Sequence, residues 1–231
     1  MLIGEALDNV CRQLGSRVCP IFRLDKYFSR PRLIGSAVPY GTADYGYLIT
    51  ASHVLDAVAG EQTITLGVNE FIRFPTAASQ IKHIRGSTVD ADVAVIRLPE
   101  PVRTEMESRF DFVGKTEVGE VAPYDKLILY SLVGYPVSKN KDVSRNMTTR
   151  EVKSFHYTLR EFFDVSLLAS SGKNEPIHFG LKAQRSAFGR GAALVAKSVP
   201  QFKPHGMSGG GIWRIQFDRE TGASVRRCLS A

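Results

Sequence analysis

Two short segments of the sequence carry the residue types of a serine nucleophile and its base. Residues 50–55 read Thr-Ala-Ser-His-Val-Leu and contain His53, and residues 206–210 read Gly-Met-Ser-Gly-Gly and contain Ser208. A serine hydroxyl needs an imidazole to accept its proton and backbone N–H groups to stabilise the oxyanion. The glycines suit that task, because a residue without Cβ can adopt the positive φ that directs successive amides at one point. The sequence therefore predicts Ser208 as nucleophile and His53 as general base.

A third residue, an acid that fixes the imidazole tautomer, is offered by Asp92. It directly precedes an apolar, β-branched run at residues 93–98 that ends at Pro99 and predicts a largely buried strand. A carboxylate where such a strand begins is costly to leave unpaired, so a histidine partner is expected. Asp90 can point to the same side of an extended chain and is the alternative.

The three segments, in the order His, Asp, Ser, resemble those of the chymotrypsin-like (trypsin-type) serine proteases, particularly their compact bacterial branch. The matching stretches are residues 50–55, residues 92–95 and residues 206–210. The resemblance implies an all-β fold of two six-stranded antiparallel barrels, with His53 and Asp92 on the first barrel and Ser208 on the second. The active site is then expected in the cleft between the barrels.

The resemblance also implies a reaction, the hydrolysis of peptide bonds by a serine endopeptidase. Ser208 attacks the scissile carbonyl, His53 takes the proton, and Asp92 orients His53. The backbone amides of Gly206 and Ser208 are the expected oxyanion hole, and water releases the acyl-enzyme. A polypeptide is the expected substrate, and no cofactor is expected.

The residues before Ser208 bear on activation and specificity. Met207 stands where many family members have the aspartate that pairs with a new N-terminal amine, so activation by N-terminal cleavage is not expected. The base of the primary pocket is expected about six residues before the serine, at Phe202 or its neighbours Gln201 and Lys203. Because no acid is present there, a preference for Arg or Lys is not expected.

Phe202 and His205, the two candidate pocket residues, could also have purely structural roles. Phe202 is equally compatible with core packing, since loop positions are hard to place from sequence. His205 could line the pocket, as in family members that cut after acidic residues, or be a solvated loop histidine.

The end of the sequence raises alternatives to an active enzyme. The chain reaches Ala231 soon after Ser208, where the family continues with another strand and a helix, so the second barrel is expected to be incomplete at its C-terminus. One alternative is a catalytically impaired, protease-like module that binds a regulatory protein partner. The other is a truncated fragment of a longer protease, with exposed strand edges that promote association.

Length and composition agree with one compact globular unit. The resemblance implies that this unit is a single trypsin-like peptidase domain over residues 1–231, with an N-terminal barrel at 15–110 and a C-terminal barrel at 120–231. At 231 residues and 43% apolar content, the chain can form two small cores. No run is long and apolar enough to span a membrane, and the N-terminus lacks the features of a secretion signal. A cytoplasmic location without membrane contact is therefore expected.

Cysteine, histidine and charge patterns argue against other classes of function. Cys11, Cys19 and Cys228 are too few for a disulfide framework and predict free, buried thiols, and the histidines are too scattered for a metal site. The net charge is +7 and the pI is near 9.4. The basic residues are spread along the chain without interleaved aromatic residues. Nucleic-acid binding is therefore not expected.

Short β-prone runs separated by Gly, Pro, Asn, Asp and Ser must position the site. Residues 52–59 predict one helical turn that holds His53, and the charged residues 100–124 predict a connector. An amphipathic N-terminal helix is predicted from Leu2 or Ile3, Ala6, Leu7, Val10, Cys11 and Leu14. The predicted strands are 18–24, 34–40, 45–50, 62–68, 81–84, 93–98, 126–133, 151–159, 177–182, 192–197, 211–217 and a return from 224.

Overall fold

The described part of the chain forms two antiparallel β-sheets. The computed structural model describes residues 9–10, 12–24, 31–58, 63–67, 72–75, 81–84, 92–118, 127–140, 154–161, 181–183, 207–217 and 224–229. Three helices accompany the strands: α1 at 9–14, described except at residue 11, α2 (Ser52–Asp56) and α3 (Glu100–Glu107). The strands are β1 (Cys19–Leu24), β2 (Pro31–Gly41), β3 (Gly46–Thr50), β4 (Thr63–Leu66), β5 (Ile72–Pro75), β6 (Ile81–Ile84), β7 (Val93–Arg97), β8 (Leu127–Gly134), β9 (Phe155–Glu161), β10 (Leu181–Ala183), β11 (Gly211–Phe217) and β12 (Ser224–Leu229).

The first sheet curls back toward itself. Its seven strands have the order β5-β4-β1-β2-β3-β7-β6, so its two edge strands, β5 and β6, follow each other in the chain. Residues 76–80 connect them, and a link of that length spans at most about 20 Å. Seven flat strands would separate the edges by roughly 29 Å. The sheet must therefore bend, which gives it a concave face for a core.

Alternating side chains fill that concave face. In β3, Leu48 and Thr50 are buried while Tyr47 and Ile49 are half-buried, and in β7 Ala94 and Ile96 are buried. This period of two is the pattern of a strand with one face in a core. The main members of the core are Cys19, Ile21, Ala37, Leu48, Val54, Leu55, Ile64, Leu66, Ile72, Ala94, Ile96, Met106 and Phe110.

The second sheet has five strands among the described residues, in the order β10-β9-β8-β11-β12. Strand β11 begins directly after the segment that contains Ser208 and pairs with β8 over its whole length, from Gly211 opposite Val133 to Phe217 opposite Leu127. The position of Ser208 is therefore set by a central strand of this sheet.

A second hydrophobic cluster joins the two sheets. It combines Phe22 and Val38 of the first sheet with Val133 and Trp213 of the second, and all four are buried. Val10 and Leu14 of α1 belong to the same cluster, which confirms the predicted N-terminal helix for its described residues. The sheets are thus held together by shared apolar burial, the dominant favourable term in folding.

Most predicted strands are confirmed within a few residues, and those at 81–84 and 211–217 have the predicted bounds. The first sheet has seven strands, one more than predicted, because β5 was not predicted. The second sheet has five strands among the described residues, and six were predicted for it. The predicted strand at 192–197 lies outside the described residues. Closure of the second sheet into a barrel, and the domain bounds, remain predictions.

The charged connector contains a helix that was not predicted. Helix α3 has a proline in its first turn, where the missing N–H is tolerated, and an ion pair between Arg103 and Glu107 at 2.8 Å. Arg109, beyond the end of α3, binds Glu105 at 2.7 Å. Local ion pairs accompany this helix on its polar side, and Val102, Met106 and Phe110 pack in the core of the first sheet.

Cys19 is a buried thiol at the start of β1, and its burial raises its pKa to about 12 from 9.0. Between these two pH values the native state keeps a proton that the unfolded chain loses. Stability should therefore fall as pH rises through this window, by up to about tenfold in the unfolding constant per pH unit. Urea denaturation at pH 8 and pH 10 measures this fall, which we expect to be shallower in Cys19→Ala. An equal slope in both proteins would contradict the prediction.

Candidate active site

His53 is held at the start of a short helix that is tied to strand β7. Strand β3 ends at Thr50, Ala51 is the extended N-cap residue, and α2 begins at Ser52. The Ser52 N–H donates to the Asp92 carbonyl at 3.2 Å, and its hydroxyl donates to the Val93 carbonyl at 2.9 Å. The prediction of a helical turn is confirmed, and Ser52 anchors that turn to β7 and to Asp92, the residue before it.

Asp92 contacts His53 through both carboxylate oxygens. The backbone N–H of His53 donates to Oδ1 at 3.0 Å, and Nδ1 of the ring is hydrogen-bonded to Oδ2. A carboxylate at Nδ1 favours the tautomer that carries its proton there and leaves Nε2 as the base. Both side chains are about half exposed, at 56% and 53%, so the pair is accessible to a substrate.

Ser208 occupies the corner of a tight turn. The Gly210 N–H donates to the Met207 carbonyl at 2.8 Å, and Gly209 has a φ of +79°. These features define a type II turn with glycine at its third position, where a positive φ is required. Met207 is buried and Ser208 is half-buried. The turn therefore presents Ser208 at its bend while Met207 anchors it.

The Ser208 turn is joined to the first sheet beside His53. The Ser36 N–H of β2 donates to the Ser208 carbonyl at 2.8 Å, and the Thr50 hydroxyl donates to the Ser36 carbonyl at 2.7 Å. A Cβ on Gly209 would lie 2.9 Å from the backbone nitrogen of Ala51, close to the start of α2. The structure thus brings together the Ser208 turn, strand β2 and the start of helix α2, which contains His53 and is bonded to Asp92.

Other predicted site residues lie outside the described residues. These are the pocket residues Phe202 and His205, their neighbours Gln201 and Lys203, the oxyanion-hole residue Gly206, and the reserve acid Asp90. Their roles remain predictions.

The residues that fix the turn, principally Ser36 and Thr50, were not predicted from the sequence. Thr50 lies in the segment that contains His53, but its role depends on a contact with β2, far away in sequence. Ser36 carries no local signal, since one serine in an apolar strand predicts nothing about a turn at residue 208.

Removing the charge of Asp92 should impair the histidine without changing its size. In Asp92→Asn, the amide can donate to Nδ1 and stabilise the wrong tautomer, so we expect kcat for any hydrolysis in which His53 is the base to fall by roughly 10⁴-fold. The measurement is steady-state hydrolysis of a peptide library, with unfolding by circular dichroism. Asp44→Asn, in an exposed turn, is the control and should retain activity. An Asp92→Asn protein with control-level activity would rule out the assigned role.

Comparisons with known proteins give no family. No family model matches the sequence, and no curated protein matches it. Among solved structures, a catalytically inactive tobacco etch virus protease complexed with substrate is 10% identical, with a TM-score of 0.39 over 95% of this chain and 80% of that one. The tobacco vein mottling virus protease is 11% identical, with a TM-score of 0.40 over 96% and 79%. Likeness at this level assigns no family, so the expected bacterial branch stays a prediction.

Within the described residues, no group of three or more His, Cys, Asp or Glu side chains has the arrangement of a metal site. No helix in the described part of the chain has the length and apolar character needed to cross a bilayer.

Proposed function

We propose that this protein is a serine endopeptidase that hydrolyses peptide bonds through Ser208, His53 and Asp92. The observation that carries the proposal is the seating of the Ser208 turn on β2, beside the helix whose histidine is paired with Asp92. Nucleophilic acyl transfer needs a serine and a histidine that has a carboxylate at Nδ1. Here the serine is at the bend of a glycine turn that lies against β2 and the start of the helix that contains the histidine.

In the proposed reaction, the Ser208 hydroxyl attacks the carbonyl carbon of the scissile bond. His53 accepts the hydroxyl proton at Nε2, while Asp92 stabilises the imidazolium through Nδ1. His53 then gives the proton to the leaving amine, and an acyl ester remains on Ser208. Water repeats these steps, with His53 as base, to release the acid and restore the hydroxyl.

The oxyanion of each tetrahedral intermediate requires two backbone donors. The amides of Ser208 and Gly206 are proposed for this role, since the glycine-rich turn can direct successive N–H groups inward. Phe202 and His205 are proposed to line the primary pocket, and a polypeptide is the proposed substrate.

Labelling with a fluorophosphonate probe tests the proposal directly, because such a probe reacts only with a serine that its base has activated. We expect one adduct on the purified protein, located at Ser208 by mass spectrometry. A folded protein that gives no adduct would refute the proposed activity and favour a protease-like binding module.

A further inference from the structure

Ser36 is a buried serine in β2 that contacts three separate parts of the chain. Its N–H donates to the Ser208 carbonyl, its carbonyl accepts from the Thr50 hydroxyl, and its hydroxyl accepts from the Tyr135 N–H at 2.9 Å. We propose that Ser36 is a positioning residue that sets the Ser208 turn against both sheets at once. This inference rests on the proposed function.

The backbone of Ser36 fixes the turn to the first sheet. Strand β1 pairs with one edge of β2. The N–H and carbonyl of Ser36 lie on the other edge of β2, which faces the Ser208 turn. Gly35, the preceding residue, leaves no spare room: a Cβ there would lie 2.6 Å from Val54 of α2 and 3.2 Å from the Ser208 carbonyl. The turn, strand β2 and helix α2 are therefore in direct contact.

The hydroxyl of Ser36 extends this contact to the second sheet. Tyr135 directly follows β8, is buried, and uses its own hydroxyl to donate to the Val18 carbonyl at 3.2 Å. Burial raises the pKa of the Tyr135 phenol, which keeps it in the donating form. Tyr135 is thus bonded at two points, to Ser36 in β2 and to Val18 directly before β1.

The end of β8 in turn touches the segment of the nucleophile. A Cβ on Gly134 would lie 3.2 Å from the Ser36 hydroxyl and 3.3 Å from Cα of Met207. A shift of this strand end therefore moves the residue before Ser208. Because the Tyr135 N–H is buried, loss of its acceptor would leave it unsatisfied and favour such a shift.

Because of these contacts, Ser36 affects the reaction at Ser208 by fixing the position of the nucleophile, and it takes no part in the chemical steps. Misplacement of a nucleophile by about 1 Å can cost roughly 100-fold in rate. We expect Ser36→Ala to slow fluorophosphonate labelling of Ser208 and to lower kcat by about 10- to 100-fold with little change in KM.

Tyr135→Phe is the matched control. It also removes one buried hydrogen bond at the junction of the sheets, but it keeps the bond from the Tyr135 N–H to Ser36. Both variants should lose several degrees of thermal stability, and only Ser36→Ala should be slow to label. Equal labelling rates in Ser36→Ala and Tyr135→Phe would overturn the inference.

Hydrogen exchange gives a test of the inference that does not depend on catalytic activity, and a further variant gives a test that does not depend on Ser36→Ala. Hydrogen exchange in a peptide covering residues 207–212 should accelerate in Ser36→Ala and not in Tyr135→Phe, even if the wild type is never labelled. Unchanged exchange would therefore refute the role of Ser36 separately from the proposed function.

Gly134→Ala crowds both Ser36 and Met207 from the second sheet, so it should also slow labelling. A folded Gly134→Ala protein with the wild-type labelling rate would contradict the inference.

Discussion

Ser208→Ala should abolish both probe labelling and peptide hydrolysis, with kcat lower by about 10⁶-fold. The change removes the oxygen that forms the acyl bond and leaves His53 with no hydroxyl to activate. Residual hydrolysis above the rate in water would come from the oxyanion hole and substrate binding alone. The side chain is half-buried at the bend of a turn, so its loss should leave the fold intact.

Hydrolysis should be followed with a peptide library and a mass-spectrometric readout, beside thermal unfolding of each variant. Ser108→Ala is the control, since Ser108 is an exposed serine at the end of α3 whose hydroxyl bonds only locally, to the Glu105 carbonyl at 2.8 Å. It should match the wild type. Ser208→Ala turnover near the wild-type rate would mean that another residue is the nucleophile.

Gly209→Ala should lower the labelling rate of Ser208 by at least 100-fold and also reduce stability. With a φ of +79°, alanine would be strained whatever the space around it. The space is also filled, because the new Cβ would meet the Ser36 carbonyl, the Thr50 hydroxyl and the Ala51 nitrogen. Relief of the clash requires the turn to move away from β2. This movement would displace Ser208 relative to the helix that contains His53.

The stability cost of Gly209→Ala is expected at about 1–3 kcal/mol, typical of an overfilled site, with further loss from the backbone strain. Urea denaturation gives this number, and probe kinetics on the folded protein give the rate. Gly114→Ala is the control, because the nearest atom to its new Cβ is a Glu117 oxygen at 3.9 Å. If Gly209→Ala labels as fast as Gly114→Ala, the turn does not depend on this contact.

The strands were predictable where local pattern and environment agree. Strand β11 has the predicted bounds, since it is an apolar run between a glycine turn and a polar segment. Strand β5 was missed because it is short and pairs with β4, a partner that no local pattern reveals. Helix α3 was missed because its ion pairs look, in sequence, like a solvated connector.

The sequence predicts residue types for the site but not its geometry. The types and order of His53, Asp92 and Ser208 predict a base, an acid and a nucleophile, and these roles stay predictions; how their segments are brought together depends on Ser36 and Thr50. Those contacts arise from the pairing of β2 with β3 and from the docking of the second sheet. Such long-range contacts leave no periodicity in the sequence. The bacterial origin and the cytoplasmic location stay predictions.

The junction between the sheets contains the sole tryptophan of the protein, Trp213. Its ring is fully buried among residues of both sheets, and the Arg17 guanidinium lies 5.8 Å from its centroid. Indole fluorescence from this protein therefore has one source, and that source lies where the two sheets meet. A shift of its emission to longer wavelength reports water entering between the sheets, so separation of the halves can be timed without any added dye.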